Sequence, residues 1–584
     1  MWKILKEVIN KNKTSNMSSQ FVINNQNVSD NKVIAEAFND FYVNVGANLA
    51  KAIPNESEIR PESYILHEKQ QSIFLKPTDK EEIESVILKL KDSAAGYDDI
   101  VPRIIKLSYG IYVEPLVHIF NLSFMQGVFP TELKVAKVIP LYKKDDKANI
   151  ANYRPVSILP VFSKILEKLL HARLVEFIDK YDILYKYQFG FRSKHSTNMD
   201  LLQIVDKIMN HFQDGDFVIG IFLDFSKAFD TVNHEILLRK LSKYGIRGVA
   251  LKLMSNYLNN RTQFVQYGVN SSMKNISCGV PQGSILGPIL FLLYINDIIN
   301  VSPVLLPILF ADDTNIFVNG KCLTQMVSVL NNELVKLVTW LNVNKLSLNV
   351  SKTHYIIFSS KRKKVNTDVL TPIVINNLPI NRVHSTSFLG VMVDEKLNWQ
   401  DHIKHIKNKM SKGIGVLCKA RKLLKESTLV TLYNTLIYPY LTYCIEVWGG
   451  CRSSDINSVF LLQKRAVRII ASAPFRANSC NLFKKYKILP IAQVYVYCIL
   501  VFMFKFNSSM LPKIFDTMFK YINNSYCTRQ TGKLYVPIGK CSSMYNMIRF
   551  KGVKLWNSYY DIIDTACNIH TYKKKLKLHL MNSL

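Results

Sequence analysis

"LPILFADDTNIFV", Leu306 to Val318, sets two adjacent carboxylates, Asp312 and Asp313, inside a run of large apolar side chains. Ionised carboxylates in such a setting repel each other and lose hydration, so the pair requires a positive partner. The plain alternative is a solvated hairpin turn, where Asp is common. What else in the chain converges on this point decides between the two. Upstream, "FVIGIFLDFSKAFDTVNH" reads as an apolar strand ending in Asp224, after which the chain turns into a helix near Asp230. If the two strands are neighbours, three carboxylates gather, and a hard cation such as Mg²⁺ supplies the missing charge. Two such ions about 3.5 to 4 Å apart can activate an attacking hydroxyl and stabilise a leaving phosphate. Between the acidic segments lies "SCGVPQGSILGPILFLLYIND", where Gly279, Pro281, Gly283 and Gly287 precede or open a long apolar helix. Glycine there lets backbone approach a flat base or a sugar, and Gln282 offers a side-chain amide.

The 584 residues are 48% hydrophobic, enough for several packed domains. Lys and Arg total 75 against 44 Asp and Glu, a formal +31 that strains a compact protein unless a polyanion shares its surface. Nucleic acid fits that role. The longest apolar runs, such as Val494 to Phe504, fall short of the roughly 18 residues of a membrane span, and the basic N-terminus lacks the pattern of a secretory signal. No membrane association is expected, and the reading is intracellular, nucleus and/or cytoplasm. Ten cysteines occur without a Cys-x-x-Cys pair, which excludes the common zinc ribbons and knuckles and reads as reduced core thiols.

Residues 1–77 read as an N-terminal extension or linker with one helix, "SDNKVIAEAFNDFYVNVGANLA", capped by Ser29 or Asp30. Thr78 to Glu81 form a capping box ahead of Ile83, Val86, Ile87 and Leu90, so a structured domain begins near residue 78. Over residues 78–400 short β-rich segments ("KVIPLY", "FVIGIFLDF", "ILFA", "TNIFV", "HYIIF") alternate with helical ones, among them Ser163 to Tyr181 and Asp230 to Tyr244, an α+β pattern. Beyond Trp399 the chain reads as helical, a basic part over 401–475 and a further part over 476–584. The basic stretch, with Lys404, Lys407 and Lys412 among its cations, is either a solvated helix face or a phosphate-tracking surface.

In order along the chain, "LDFSKAFDTVNH", "GVPQGSILGPILF", "FADDTNIF" and "KLSLNVSKTHYIIF" resemble motifs A to D of the reverse transcriptases of non-LTR, LINE-type retrotransposons, most like the jockey-related group. "AAGYDDIVP", "YQFGFRSKHST" and "FLGVMVDEKLNWQDHI" agree. The resemblance implies a right-hand polymerase of fingers, palm and thumb, with an antiparallel-sheet palm, a core over about 122–394, a thumb over 401–475 and a helical C-terminal region. It implies RNA-directed DNA polymerase activity with an RNA template, a DNA primer or target, dNTPs and two Mg²⁺ ions, Mn²⁺ being a possible substitute. By motif position Asp224, Asp312 and Asp313 form the acidic triad, Asp224 and Asp312 bridge the ions, and the Phe225 carbonyl adds a metal contact. Phe229 stands where an aromatic ring excludes a ribose 2′-hydroxyl. Lys143 or Lys144, with Arg154, grips the triphosphate, Gln282 lies beside the sugar, and Lys352 protonates the leaving pyrophosphate. Gln188, Gly190 and Arg192 lie where the family contacts the template, and Lys404, Lys407 and Lys412 are thumb contacts. The endonuclease domain that relatives carry upstream is expected to be missing. The competing classes are a catalytically silent, transposon-derived RNA-binding protein, which would gain nothing from buried carboxylates, and an RNA polymerase or intron maturase, against which Phe229 and the flanking motifs argue.

Overall fold

The strand Phe217–Leu223 is apolar at every position because both of its faces are covered. In the computed structural model, which describes residues 20–54, 58–366, 370–522, 533–539, 542–560 and 568–584, it is the middle of a five-stranded sheet. The order is Asn381–Arg382, His354–Phe358, Phe217–Leu223, Asp313–Gly320, Leu306–Phe310, antiparallel except at the first pair. Side chains alternate across it. Ile219, Ile221, Ile316, Val318 and Ile357 join one core with the helices Val161–Lys180, Leu286–Ile295 and Leu323–Val343. Val218, Phe222, Phe317, Ile356 and Phe358 join a second core with the helix Thr197–Gln213. Gly220 sits on that second face because the rings of Phe317 and Phe358 occupy the space a Cβ would need.

A second sheet flanks the first, in the order Tyr153–Ile158, Val135–Tyr142, Arg261–Tyr267, Val269–Asn270, with Lys274–Ile276 also paired to Arg261–Tyr267. Among its strands only Val135–Tyr142 was legible from the apolar pattern. Arg261–Tyr267 carries Arg, Thr and two Gln, and its pairing, parallel with Val135–Tyr142 and antiparallel with Val269–Asn270 and Lys274–Ile276, makes it a strand.

Residues read as an extension or linker are instead part of this second unit. The helix Asn31–Lys51 packs on Arg261–Tyr267, and Phe21, Ile34, Phe38 and Tyr42 share a core with Val138, Tyr153 and Val265. Its cap is Asp30, whose carboxylate accepts the N–H groups of Lys32 and Val33. The next capping expectation shifts by one residue: Asp79 accepts the Glu82 N–H, while Thr78 donates its hydroxyl to the Glu82 carboxylate. The basic segment at residues 1–19 lies outside the described residues.

From Gln400 on, helices predominate. One apolar core runs through both expected C-terminal parts and into the second face of the central sheet, joining Ile403, Leu432 and Trp448 to Ile499, Trp556 and Leu576. The boundary expected near residue 475 therefore has no counterpart in the packing. Among the described residues, no helix is long and apolar enough to cross a membrane.

Candidate active site

Leu223 pairs with Thr314, so continuing the antiparallel register by one residue sets Asp224 opposite Asp313 at the open end of the central sheet. Phe310 pairs with Asp313, which leaves Ala311 and Asp312 as a two-residue turn. The three carboxylates thus meet because one strand ends where the neighbouring hairpin turns. Asp224 is held from the other side as well: its carbonyl accepts the Asn349 N–H at 2.8 Å, and its own N–H reaches the Thr353 hydroxyl at 3.3 Å.

These residues open onto a cavity of about 520 Å³ between the two sheets. Its wall brings together Asp224, Phe225, Asp312, Asp313, Lys352, Lys143, Lys144, Arg154, Phe229 and Gln282, which come from five separated stretches of chain. Lys143 and Arg154 stand at the two ends of the loop joining Val135–Tyr142 to Tyr153–Ile158 and act electrostatically on the carboxylates. Lys143 faces Asp224, Arg154 and Lys352, whereas Lys144 lies 4.0 Å from Asp145. Burial and the neighbouring Arg154 cation push the Lys143 ammonium below its usual range.

Desolvation raises Asp312, and Asp313 is pushed up to about 6, first by desolvation and then by the Asp312 and Asp224 carboxylates. This is the like-charge crowding anticipated for the pair, and a divalent cation relieves it. The donor set is all oxygen, which suits hard cations such as Mg²⁺ or Mn²⁺ better than Zn²⁺. Among the described residues, no three His, Cys, Asp or Glu side chains are grouped closely enough to hold a metal ion by themselves. Mg²⁺ sites commonly take only one or two carboxylates and complete their shell with water and substrate phosphates.

Phe229 stacks on Phe291 with ring centroids 4.6 Å apart and meets the edge of Phe191 at 6.2 Å. The loop Gly279–Gly283 is tied to this segment and to the second sheet. The Val280 N–H donates to the Phe229 carbonyl at 2.9 Å, and the Ser157 N–H donates to the Gln282 carbonyl at 2.8 Å. The Gln282 amide nitrogen donates to both Asp230 oxygens, at 2.8 and 3.0 Å. Burial pushes the Asp230 carboxyl up to about 6 against those bonds and the Lys227 charge.

Lys227 and Asp230 were passed over as site residues, although both stand in the same short motif as Asp224 and Phe229. Lys227 lines the cavity, donates to the Ala151 carbonyl at 3.3 Å and lies over the Phe41 ring at 5.4 Å. The resemblance sets Gln188, Gly190 and Arg192 at the template. The structure keeps them off the cavity wall: Gln188 is 1% exposed, with its amide oxygen committed to backbone, so it offers a template nothing to touch. Arg192 is half-buried, donates one Nη1 N–H to the Tyr185 carbonyl at 3.0 Å and lines a separate cavity with Lys194 and His195. Lys404 and Lys412 are exposed and Lys407 half-buried on the helix Gln400–Ala420.

The sequence was compared with known proteins. Residues 142–393 match the family model of reverse transcriptase (RNA-dependent DNA polymerase). The chain is 29% identical over 440 residues to the RNA-directed DNA polymerase from mobile element jockey of Drosophila melanogaster, covering 73% of this chain and 47% of that protein. It is 26% identical over 432 residues to the probable RNA-directed DNA polymerase from transposon X-element of the same fly, covering 72% and 47%. A putative 115 kDa protein in type-1 retrotransposable element R1DM matches at 26% over 375 residues, covering 63% and 36%. The chain spans about half the length of the curated relatives it matches.

Proposed function

We propose that this chain, which carries a reverse transcriptase domain over residues 142–393 and is homologous to the polymerases of jockey-type non-LTR elements, copies RNA into DNA from a primer 3′-hydroxyl. One observation carries the reading: three carboxylates, two phosphate-suited cations, an aromatic ring and a glutamine amide line one cavity. In this reading the central sheet is the palm, the flanking sheet belongs to the fingers, and the helices from Gln400 supply the thumb.

Reverse transcriptase domains generally use divalent metal ions, and here Asp224, Asp312, Asp313 and the Phe225 carbonyl would hold two Mg²⁺ ions. When bound, such ions favour the ionised primer hydroxyl and offset charge on the leaving phosphate. Lys143 and Arg154 bind the triphosphate, Arg through paired N–H groups and Lys as a point charge. Lys143 takes this role over Lys144 because it faces the carboxylates. As the 3′-oxygen bonds to the α-phosphorus and the bond to the β-phosphate bridge breaks, Lys352 gives a proton to the departing pyrophosphate. Such assistance is worth about 10² to 10⁴ in rate. The Gln282 side-chain nitrogen is occupied by Asp230, which leaves the side-chain amide oxygen Oε1 to accept from a sugar hydroxyl. Phe229, backed by Phe291, closes the space a 2′-hydroxyl would need. The formal +31 charge suits a template and primer partner.

The test is extension of a DNA primer annealed to RNA, with dNTPs and Mg²⁺, by the purified chain. Lengthened primers are expected from the wild type, and Asp312→Asn should abolish them while RNA affinity stays level. Wild-type RNA binding with no extension supports the silent RNA-binding protein instead. Extension by Asp312→Asn at the wild-type rate removes the carboxylate assignment.

A further inference from the structure

The turn bearing Asp312 and Asp313 is held in a backbone state its own residues do not favour. Two-residue hairpin turns take positive φ at their first position, which Gly, Asn or Asp adopt readily. Here that position is Ala311, at φ 57°. Something outside the hairpin must hold it there.

The segment Tyr187–Gly190 runs along the strand that leads into the turn. The Leu309 N–H donates to the Tyr187 carbonyl at 2.9 Å, and the Phe189 N–H donates to the Leu309 carbonyl at 2.8 Å. Between these two bonds the buried Gln188 side chain folds back, and its amide oxygen accepts the Ala311 N–H at 3.0 Å and the Gly190 N–H at 2.9 Å. Two converging N–H donors admit an oxygen and repel an NH₂, so the chemistry itself orients the amide. Gly190 permits the approach: a Cβ there would collide with the Ala311 nitrogen and stand 2.9 Å from the Ala311 Cβ. Arg192 holds the far side of the segment through the Tyr185 carbonyl.

We infer that Gln188 is a positioning residue for the carboxylate turn: by binding the Ala311 N–H it keeps Ala311 left-handed and thereby sets where the Asp312 and Asp313 carboxylates stand. Gly190 is the glycine this contact requires. Gln188 touches neither substrate nor metal and acts only through the turn. The inference rests on the proposed polymerase reading for its catalytic consequence and on the geometry alone for its structural one.

Four forms of the full chain test it: wild type, Gln188→Met, Ala311→Gly and the double variant. Each is assayed for kcat on a DNA primer annealed to RNA, for primer–template Kd, and for Mn²⁺ affinity by electron paramagnetic resonance without nucleotide. Gln188→Met keeps the side chain's length and removes the acceptor. It should lower kcat about tenfold or more and weaken Mn²⁺ binding, with Kd for primer–template within about twofold of wild type. Glycine takes positive φ without strain, so adding Ala311→Gly to Gln188→Met should restore much of both losses. A role confined to general packing predicts no such rescue, and its absence overturns the inference. So does a rise in primer–template Kd with kcat unchanged, which returns Gln188 to the template. If Gln188→Met fails to fold, Gln188→Glu keeps an acceptor oxygen and is measured in its place. It should retain turnover well above background, and loss of turnover equal to that of Asp312→Asn counts against the inference. If the wild type extends no primer, the polymerase reading fails, and the Mn²⁺ measurement still decides whether Gln188 positions the turn.

Discussion

At the residue scale, a single ring or carboxylate has its meaning set by what stands behind it. Phe229 lines the cavity, but its stacking on Phe291 makes it a core residue as well. The two roles separate experimentally. Phe229→Val should raise ribonucleotide incorporation relative to deoxyribonucleotide by about tenfold or more, since steric selection of this size follows from one filled or emptied pocket. Its melting midpoint should fall too, because a stacked ring leaves a void. A lowered midpoint with unchanged rNTP/dNTP selectivity, measured by single-nucleotide extension, would show that the ring only packs. Asp230 illustrates the opposite case. It sits in the middle of a motif whose other acid, Asp224, attracts attention, and its work becomes visible only through the bond from Gln282.

At the element scale, the helix Asn31–Lys51 changes from an appendage to a structural wall of the site. Phe38 is fully buried, with its ring centroid 5.2 Å from that of Tyr153, the residue beside Arg154. Gly46 lets the same helix pass directly over the Asp230 carbonyl, which a Cβ would strike. The helix is therefore expected to support both walls of the cavity. Phe38→Ala should cost about 3 to 5 kcal/mol of stability, the usual range for emptying a buried aromatic site. Urea unfolding checks the number, and a change within about 0.5 kcal/mol, the size typical of surface substitutions, would make the helix the linker that composition suggests. Composition misleads here because the surrounding Asn and Ser residues hide a short apolar stripe, Ile34, Phe38 and Tyr42, that has no partner until the second sheet supplies one.

At the scale of the whole molecule, the C-terminal helices share the second face of the central sheet and are buttressed against it. Arg549 forks onto the Asp206 carboxylate at 3.0 and 2.6 Å, which ties the distal chain to the helix Thr197–Gln213. In the cavity of about 490 Å³ at this junction, Glu446 is pushed up to about 7 by burial. Its folded form therefore keeps a proton that the unfolded chain gives up near the ordinary value of 4.5. The sign follows from linkage: stability from this group is present below the unfolded value and is lost as pH rises toward the folded one. At about 1.36 kcal/mol per unit, the loss across that window is at most about 3.4 kcal/mol. Glu446→Gln should thus melt at a higher temperature than wild type at pH 8 and at nearly the same temperature at pH 4.5. A midpoint difference independent of pH would mean that Glu446 titrates as an ordinary carboxyl.

What the sequence by itself determined was the local chemistry and its order. The apolar strand ending in Asp224, the Asp312–Asp313 turn, the glycine loop with Gln282 and the strand His354–Phe358 are each legible because burial on both faces writes a continuous apolar run and a charge within it stands out. The strand Arg261–Tyr267 was not, since its polar composition carries no such signal and the pairing that places it in the second sheet is with Val135–Tyr142, more than a hundred residues away. Only the tertiary structure decided which lysine of Lys143 and Lys144 faces the carboxylates, that Gln188 is buried against Ala311, and that the N-terminal helix and both C-terminal parts belong to shared cores. The physical reason is common to all of these. A side chain's direction and partners depend on register and packing between distant segments, and those are properties of the assembled fold that a residue type in sequence does not encode alone.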